Sequence, residues 1–219
     1  MIPKTLHVIW VGDESRRPDN CIQTWIDLNP EWHVRVWGNQ DLVETEWINA
    51  RHMREMSSRE LNGVADLMRW EILYNEGGFV VDADSICRRP LEDWLLEGDA
   101  FACWENEIDR PKLIAAGYVA SVPENPFFGQ IIKDLHSEET VMQGMAWQTV
   151  GPLRLTQSYY RYRYGGLTIW PVTFLYLSTL LGSRMMGVVL CLLRKSGLAL
   201  GVPTTPCIKR SYRERIEFN

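Results

Sequence analysis

The chain has 219 residues, enough for one domain of ordinary size with its own core. Apolar residues make up 46% and charged residues 23%, which excludes a disordered or fibrous class. A net charge of −5 argues against nucleic acid as the main partner, although residues 172–219 carry +5 and residues 1–171 carry −10.

The N-terminal Met-Ile-Pro-Lys-Thr has no basic-then-apolar signal pattern. The five cysteines are scattered, with no Cys-x-x-Cys spacing. That argues against a disulfide framework or a zinc site and fits a reducing, cytoplasmic compartment.

The run from Leu6 to Val11 is apolar apart from His7, ends at Gly12-Asp13, and reads as a buried first strand. Cys21 to Leu28 reads as a short helix stopped at Asn29-Pro30, since the residue before a proline is pushed out of the α region. His33 to Trp37 alternates as a strand does, Asp41 to Ala50 is a candidate helix, and residues 51–60 have no clear pattern. Val64 to Asn75 carries an apolar stripe at helical spacing (Ala65, Met68, Ile72, Leu73), with Asn62 as its expected N-cap and Gly77-Gly78 as its left-handed stop. Phe79 to Val81 is the next strand, Leu91 to Leu96 a short helix, Ala100 to Trp104 and Tyr118 to Val122 strands, and Pro126 to Leu135 a helix. Gly151-Pro152 opens a helix reaching about Tyr162, because proline suits the first turn, and Leu167 to Trp170 is a last strand. Strands alternating with helices predict an α/β domain with a mostly parallel sheet.

The stretch that carries chemistry is 65–84. Asp66 and Arg69 stand one turn apart on the predicted helix, and Asp82 and Asp84 follow the strand after it. Alternate side chains of a strand point the same way, so the two acids are expected on one side at its C-terminal end, where ligands bind in open α/β sheets. Two hard oxygen donors there suit Mg²⁺ or Mn²⁺, particularly one shared with a phosphate. By spacing alone Asp66 and Arg69 are as well explained by a surface ion pair, worth about 0.5 kcal/mol. The alternative is a site in which the carboxylate accepts hydrogen bonds from sugar hydroxyls and the guanidinium holds sugar or phosphate oxygens.

The opening Ile2-Pro3-Lys4-Thr5-Leu6-His7-Val8-Ile9-Trp10-Val11-Gly12 resembles that of the glycosyltransferase family 32 sugar transferases, the DXD proteins of capsule and mannan synthesis, which are distantly like the clostridial glucosylating toxins. Trp25, Pro30 and Trp37 stand at the usual places. The run Ala65-Asp66-Leu67-Met68-Arg69, Ile72-Leu73-Tyr74, Gly77-Gly78 and Asp82-Ala83-Asp84 is closely similar to the family's core motif. Leu91 to Leu96, Ala120-Ser121-Val122-Pro123 and Gly151-Pro152-Leu153-Arg154-Leu155-Thr156 resemble later blocks, so the likeness covers residues 1–171. It implies a GT-A fold, a Rossmann-like nucleotide-sugar domain, over those residues. It implies a retaining transferase of polysaccharide biosynthesis that uses Mn²⁺ or Mg²⁺, with a UDP- or GDP-sugar as donor and a glycan or lipid-linked acceptor. Trp10 would stack beside the nucleobase. Asp66 and Arg69 would contact donor sugar and ribose, Asp82 ribose or metal-bound water, and Asp84 the metal. Asp84 and Arg69 are the catalytic candidates. His7 has a counterpart in the family opening but reads as a satisfied core residue, and no role is assigned to it.

Beyond Tyr176 the family pattern is lost. No His follows His136 and no Trp follows Trp170, whereas a His/Trp-rich motif near the diphosphate is expected. Divergence and a shifted reading frame explain this equally well. The segment 172–219 is therefore set apart, and its apolar, basic stretch 174–202 is a candidate for peripheral contact with an anionic membrane, being too interrupted to span one. Two other functions compete: a nucleotide-sugar-binding relative without transferase activity, for want of that motif, and a DxD phosphohydrolase.

Overall fold

The computed structural model describes residues 1–171 and the two-residue strand Val189–Leu190. The segment 174–202, expected to touch a membrane, otherwise lies outside the described residues. Among those described, no helix is long and apolar enough to cross a membrane.

Six strands form the central sheet: β1 (Thr5–Ile9), β2 (His33–Trp37), β3 (Gly78–Val81), β5 (Ala100–Asn106), β6 (Arg110–Ser121) and β7 (Leu167–Trp170), in the order β2-β1-β3-β6-β5-β7. The pairs β1–β2, β1–β3 and β5–β7 are parallel, and only β6 runs against its neighbours. β4 (Ile86–Cys87) pairs with β8 (Val189–Leu190) outside this sheet. The helices are α1 (Asp19–Leu28), α2 (Asn39–Glu44), α3 (Ala50–Ser57), α4 (Leu61–Asn75), α5 (Pro126–Ser137), α6 (Ala146–Thr149) and α7 (Pro152–Tyr162).

Alternation along the strands divides the core into two layers. Leu6, Val8, Phe79, Val81, Phe101 and Cys103 face α1, packing on Ile22 and Trp25. Ile9, Val80, Ala100 and Ala102 face the other way, toward Val64, Leu67 and Met68 of α4 and Phe128 of α5. The sheet is thus covered on both faces, as a mostly parallel sheet must be. Half of the ten tryptophans are explained by this packing: Trp25, Trp32, Trp37, Trp47 and Trp70 are buried. Cys87 and Cys103 are free and buried.

Several boundaries move. α4 begins at Leu61, three residues early, so Asn62 lies inside the helix and is not its cap. Glu60 takes the cap position in extended backbone, and its carboxylate accepts from the Ala146 N–H at 3.1 Å. The unassigned stretch 51–60 contains most of α3, whose His52, Met53 and Met56 are buried. Residues 91–92 are not helical: Glu92 is in extended backbone, the Leu91 N–H donates to Asn29 Oδ1 (2.7 Å), and only Asp93–Leu96 makes a 3-10 turn. β6 is twelve residues long, its first half hidden in the sequence by Arg110-Pro111-Lys112.

His7 is fully buried in β1. The Trp37 indole N–H donates to its Nδ1 (3.0 Å), so Nε2 carries the proton and donates to the Gly77 carbonyl (3.0 Å). The imidazole thereby pins the glycine pair that ends α4, at φ +66° and +85°, a conformation open to glycine at little cost. Burial pushes the His7 pKa down to about 4, with the Arg35 charge assisting. Its folded value lies below the unfolded one. The stability that neutral His7 contributes is therefore complete above pH 6.5 and lost as the pH falls toward 4. Urea unfolding of the native chain is expected to lose about 2–3 kcal/mol more than a His7→Asn chain between pH 7.5 and pH 4.5.

Candidate active site

The candidate residues converge at one rim of the sheet. β1 and β3 are parallel neighbours with Val8 opposite Val81, so Trp10 and Ala83, each two residues further, leave the sheet side by side. Trp10 is half-buried, and its indole N–H donates to the Asp13 carbonyl at 3.0 Å. It is therefore a rim residue with a partly open ring, not a core indole.

Asp66 and Arg69 lie on α4, one turn apart, and both are buried, at 7% and 6% exposed. Arg69 reaches across the end of β3. Its Nη1 donates to Asp66 Oδ1 and its Nη2 to Asp82 Oδ1, each at 2.9 Å. The pair on α4 is thus not a surface ion pair. It is two-thirds of a carboxylate–guanidinium–carboxylate bridge linking helix to strand. Burial pushes the Asp66 carboxyl up to about 6 against the opposing pull of Arg69, with Asp82 adding to the rise. Arg69 Nε is buried without a hydrogen-bond partner among the described residues. Unspent donors of this kind concentrate at functional sites.

The two acids of the DXD run do not continue the strand. β3 ends at Val81, the Asp82 N–H donates to the Gly117 carbonyl (3.0 Å), and the Ser85 N–H closes a turn onto the Asp82 carbonyl (3.0 Å). The argument from strand alternation is corrected accordingly: a four-residue turn sets the direction of Asp82 and Asp84. Asp82 is partly exposed and Asp84 exposed, with Ala83 buried between them.

Two glycines that spacing could not single out make room for this arrangement. Pairing between β5 and β6 slips between Phe101 and Cys103, whose partners are Ala120 and Ala115. The extra residues of β6 bulge there, as strands do beside active sites. Gly117 lies in the bulge, and a Cβ on it would collide with the Asp82 carboxylate. Gly151, ahead of α7, stands in the same relation to Asp66. The Trp70 indole N–H, donating to the Val150 carbonyl (2.7 Å), holds that junction against α4.

Among the described residues no group of three His, Cys, Asp or Glu side chains forms a metal site. Asp82 and Asp84 fit a divalent cation by donor type: two hard carboxylates, one exposed and one with a single oxygen engaged by Arg69. Such a cation characteristically completes its shell with substrate phosphate and water.

A sheet with this strand order, covered on both faces and bearing its acids at the C-terminal rim, is a GT-A type domain. The structure is similar to the PaToxG glycosyltransferase, with a TM-score of 0.61 at 15% identity over 74% of this chain and 70% of that one. It is also similar to the ligand-free glycosyltransferase domain of the YGT toxin, with a TM-score of 0.52 at 9% identity over 77% and 80%. In sequence, residues 15–101 match the family described as glycosyltransferase sugar-binding region containing DXD motif. Asp66, Arg69, Asp82 and Asp84 fall inside the match and Trp10 outside it. Inositol phosphoceramide mannosyltransferase 2 of Schizosaccharomyces pombe is 28% identical over 140 residues, 62% of this chain and 39% of that protein. An uncharacterized glycosyltransferase, L373, of Acanthamoeba polyphaga mimivirus is 26% identical over 149 residues, 62% of this chain and 56% of that one. The chain thus covers roughly two-fifths to just over half of these curated relatives.

Removing the cation of the bridge leaves Asp66 buried with no opposite charge. Arg69→Met is expected to cost about 3–5 kcal/mol in urea unfolding at pH 7.5. Adding Asp66→Asn should recover part of that loss, giving a coupling energy above about 1 kcal/mol in the double-mutant cycle.

Proposed function

We propose that this protein is a metal-dependent, retaining glycosyltransferase that moves a sugar from a nucleotide-sugar donor to a hydroxyl acceptor. The observation that carries the reading is the convergence of Asp66, Arg69, Asp82 and Asp84 at the rim that also presents Trp10. The donor domain is assigned to residues 1–171. The phosphohydrolase reading loses its support, since the DXD acids sit in a glycosyltransferase sugar-binding region.

In this reading Trp10 stacks beside the base of a UDP- or GDP-sugar, and Asp82 and Asp84 hold Mn²⁺ or Mg²⁺ against the diphosphate. A divalent cation bound there supplies Lewis-acid neutralisation of the developing diphosphate charge. Asp66 accepts hydrogen bonds from the donor sugar. Its Oδ1 is fixed by Arg69, so its remaining oxygen has a defined direction. Arg69 holds both acids in place and puts a positive charge behind the diphosphate. Asp66 and Asp82 are both paired with this guanidinium, which makes either a poor nucleophile. Retention then follows from front-face attack on an oxocarbenium-like sugar, the acceptor proton leaving late to the departing phosphate, without a glycosyl-enzyme intermediate. The S. pombe relative named as an inositol phosphoceramide mannosyltransferase makes a glycan or lipid-linked hydroxyl a reasonable acceptor class. A cytoplasmic location with peripheral membrane contact is retained as part of the same reading.

Asp84→Ala is expected to abolish Mn²⁺-dependent donor binding while leaving the melting temperature of the free protein within a few degrees. Calorimetric titration with UDP- and GDP-sugars in the presence of Mn²⁺ tests both the assignment and the nucleotide. Unchanged affinity in the variant removes Asp84 from the metal site.

A further inference from the structure

We infer that Ser85 is the positioning residue of the metal-binding turn, holding Asp82 and Asp84 through a fully buried hydrogen-bond hub. The inference rests on the reading above that this pair holds a divalent cation.

Ser85 follows Asp84 directly and is completely buried, although it is a small polar residue at the edge of a site whose preceding residue is exposed. A serine hydroxyl can donate one hydrogen bond and accept two. Three groups meet it here. The Oγ–H donates to the Asp82 carbonyl. The Trp25 indole N–H, from α1, donates to Oγ at 3.1 Å and shares its proton with the Ser85 carbonyl at 3.2 Å. The third partner is the Tyr118 hydroxyl of β6, a phenol whose pKa burial raises well above its usual value.

The turn is therefore anchored to both neighbouring layers. The backbone closes it, with the Ser85 N–H on the Asp82 carbonyl and the Asp82 N–H on the Gly117 carbonyl. The side chain of Ser85 then ties the closed turn to α1 through Trp25 and to β6 through Tyr118. Both rings are among the largest fully buried side chains of the core, so their positions are set by packing. Just beyond, the Cys87 N–H donates to Thr24 Oγ1 (2.9 Å), a second tie between the same stretch and α1. Asp84 lies beyond the end of β3, in the turn that the Ser85 N–H closes onto the Asp82 carbonyl. A metal ligand on an otherwise exposed turn loses entropy on binding unless the turn is already ordered, and partners behind the ligands typically matter 10- to 100-fold in metal affinity.

The test is Mn²⁺ binding to the full chain without donor, followed by electron paramagnetic resonance of free Mn²⁺, beside thermal melts of each metal-free variant. Ser85→Ala is expected to raise the Mn²⁺ Kd about tenfold. Ser85→Thr keeps the hydroxyl and is expected to stay within about threefold of the native value. Tyr118→Phe, which keeps the ring and removes one of the three partners, should raise Kd by about threefold and serves if Ser85→Ala does not fold. A lower melting temperature with an unchanged Mn²⁺ Kd in Ser85→Ala, or in Tyr118→Phe where that variant stands in, reduces Ser85 to a structural residue and overturns the inference. Failure of the native chain to bind Mn²⁺ instead overturns the metal assignment itself, and this inference with it.

Discussion

One guanidinium between two carboxylates holds the site together. Arg69 is buried, and a buried cation is tolerated only where opposite charges and hydrogen bonds replace its water. Asp66, on its own helix, and Asp82, just beyond β3, supply them at 2.9 Å each. The bridge fixes the end of a strand to the middle of a helix. Everything else at the rim follows from that demand: α4 must lie across the sheet at this height, β6 must open to admit the Asp82 carboxylate, and the chain ahead of α7 must pass close over Asp66. Gly117 and Gly151 meet the last two requirements by having no Cβ.

The rest of the fold keeps those elements in place. α4 is buried along nearly its whole length, which explains why a helix with so many polar letters has no clean solvent face. Glu71, on the same helix, accepts from the backbone N–H groups of Ile48 and Asn49 (2.7 and 2.9 Å), tying down the start of α3. At its C-terminal end His7 and Trp37 lock the glycine stop from the sheet side. These contacts lie away from the rim, yet they decide where Asp66 and Arg69 stand. A change at any of them reaches the site through the helix axis.

Much of the architecture was legible because it depends on local rules. β2, α7 and β7 fall where their alternation, their proline at the first turn and their aromatic-proline boundary place them. The glycine stop of α4 was legible too, since few other residues accept those φ values. What escaped was set by distant partners. The N-terminus of α4 moved because Glu60 is engaged by Ala146, 86 residues away. The first half of β6 was hidden because Arg110-Pro111-Lys112 are exposed and Leu113 and Ile114 are buried in succession, so no apolar alternation shows. The stretch 91–92 is extended and tied to α1, the Leu91 N–H donating to Asn29 Oδ1, 62 residues away.

At the site the division is sharper. Residue type and spacing already pick out the candidates Trp10, Asp66, Arg69, Asp82 and Asp84, the last four inside the stretch that matches a glycosyltransferase sugar-binding region. They do so because carboxylates and a guanidinium spaced on one helix and one strand end carry their chemistry in their identity. The tertiary structure decided how they are used. It turned a helical i,i+3 pair into a buried bridge to a third residue, replaced strand alternation with a turn, and brought Trp25, Tyr118 and Gly117 to that turn from 60, 33 and 32 residues away along the chain. Burial and long-range hydrogen bonding are properties of what lies opposite a residue, and no local pattern records that.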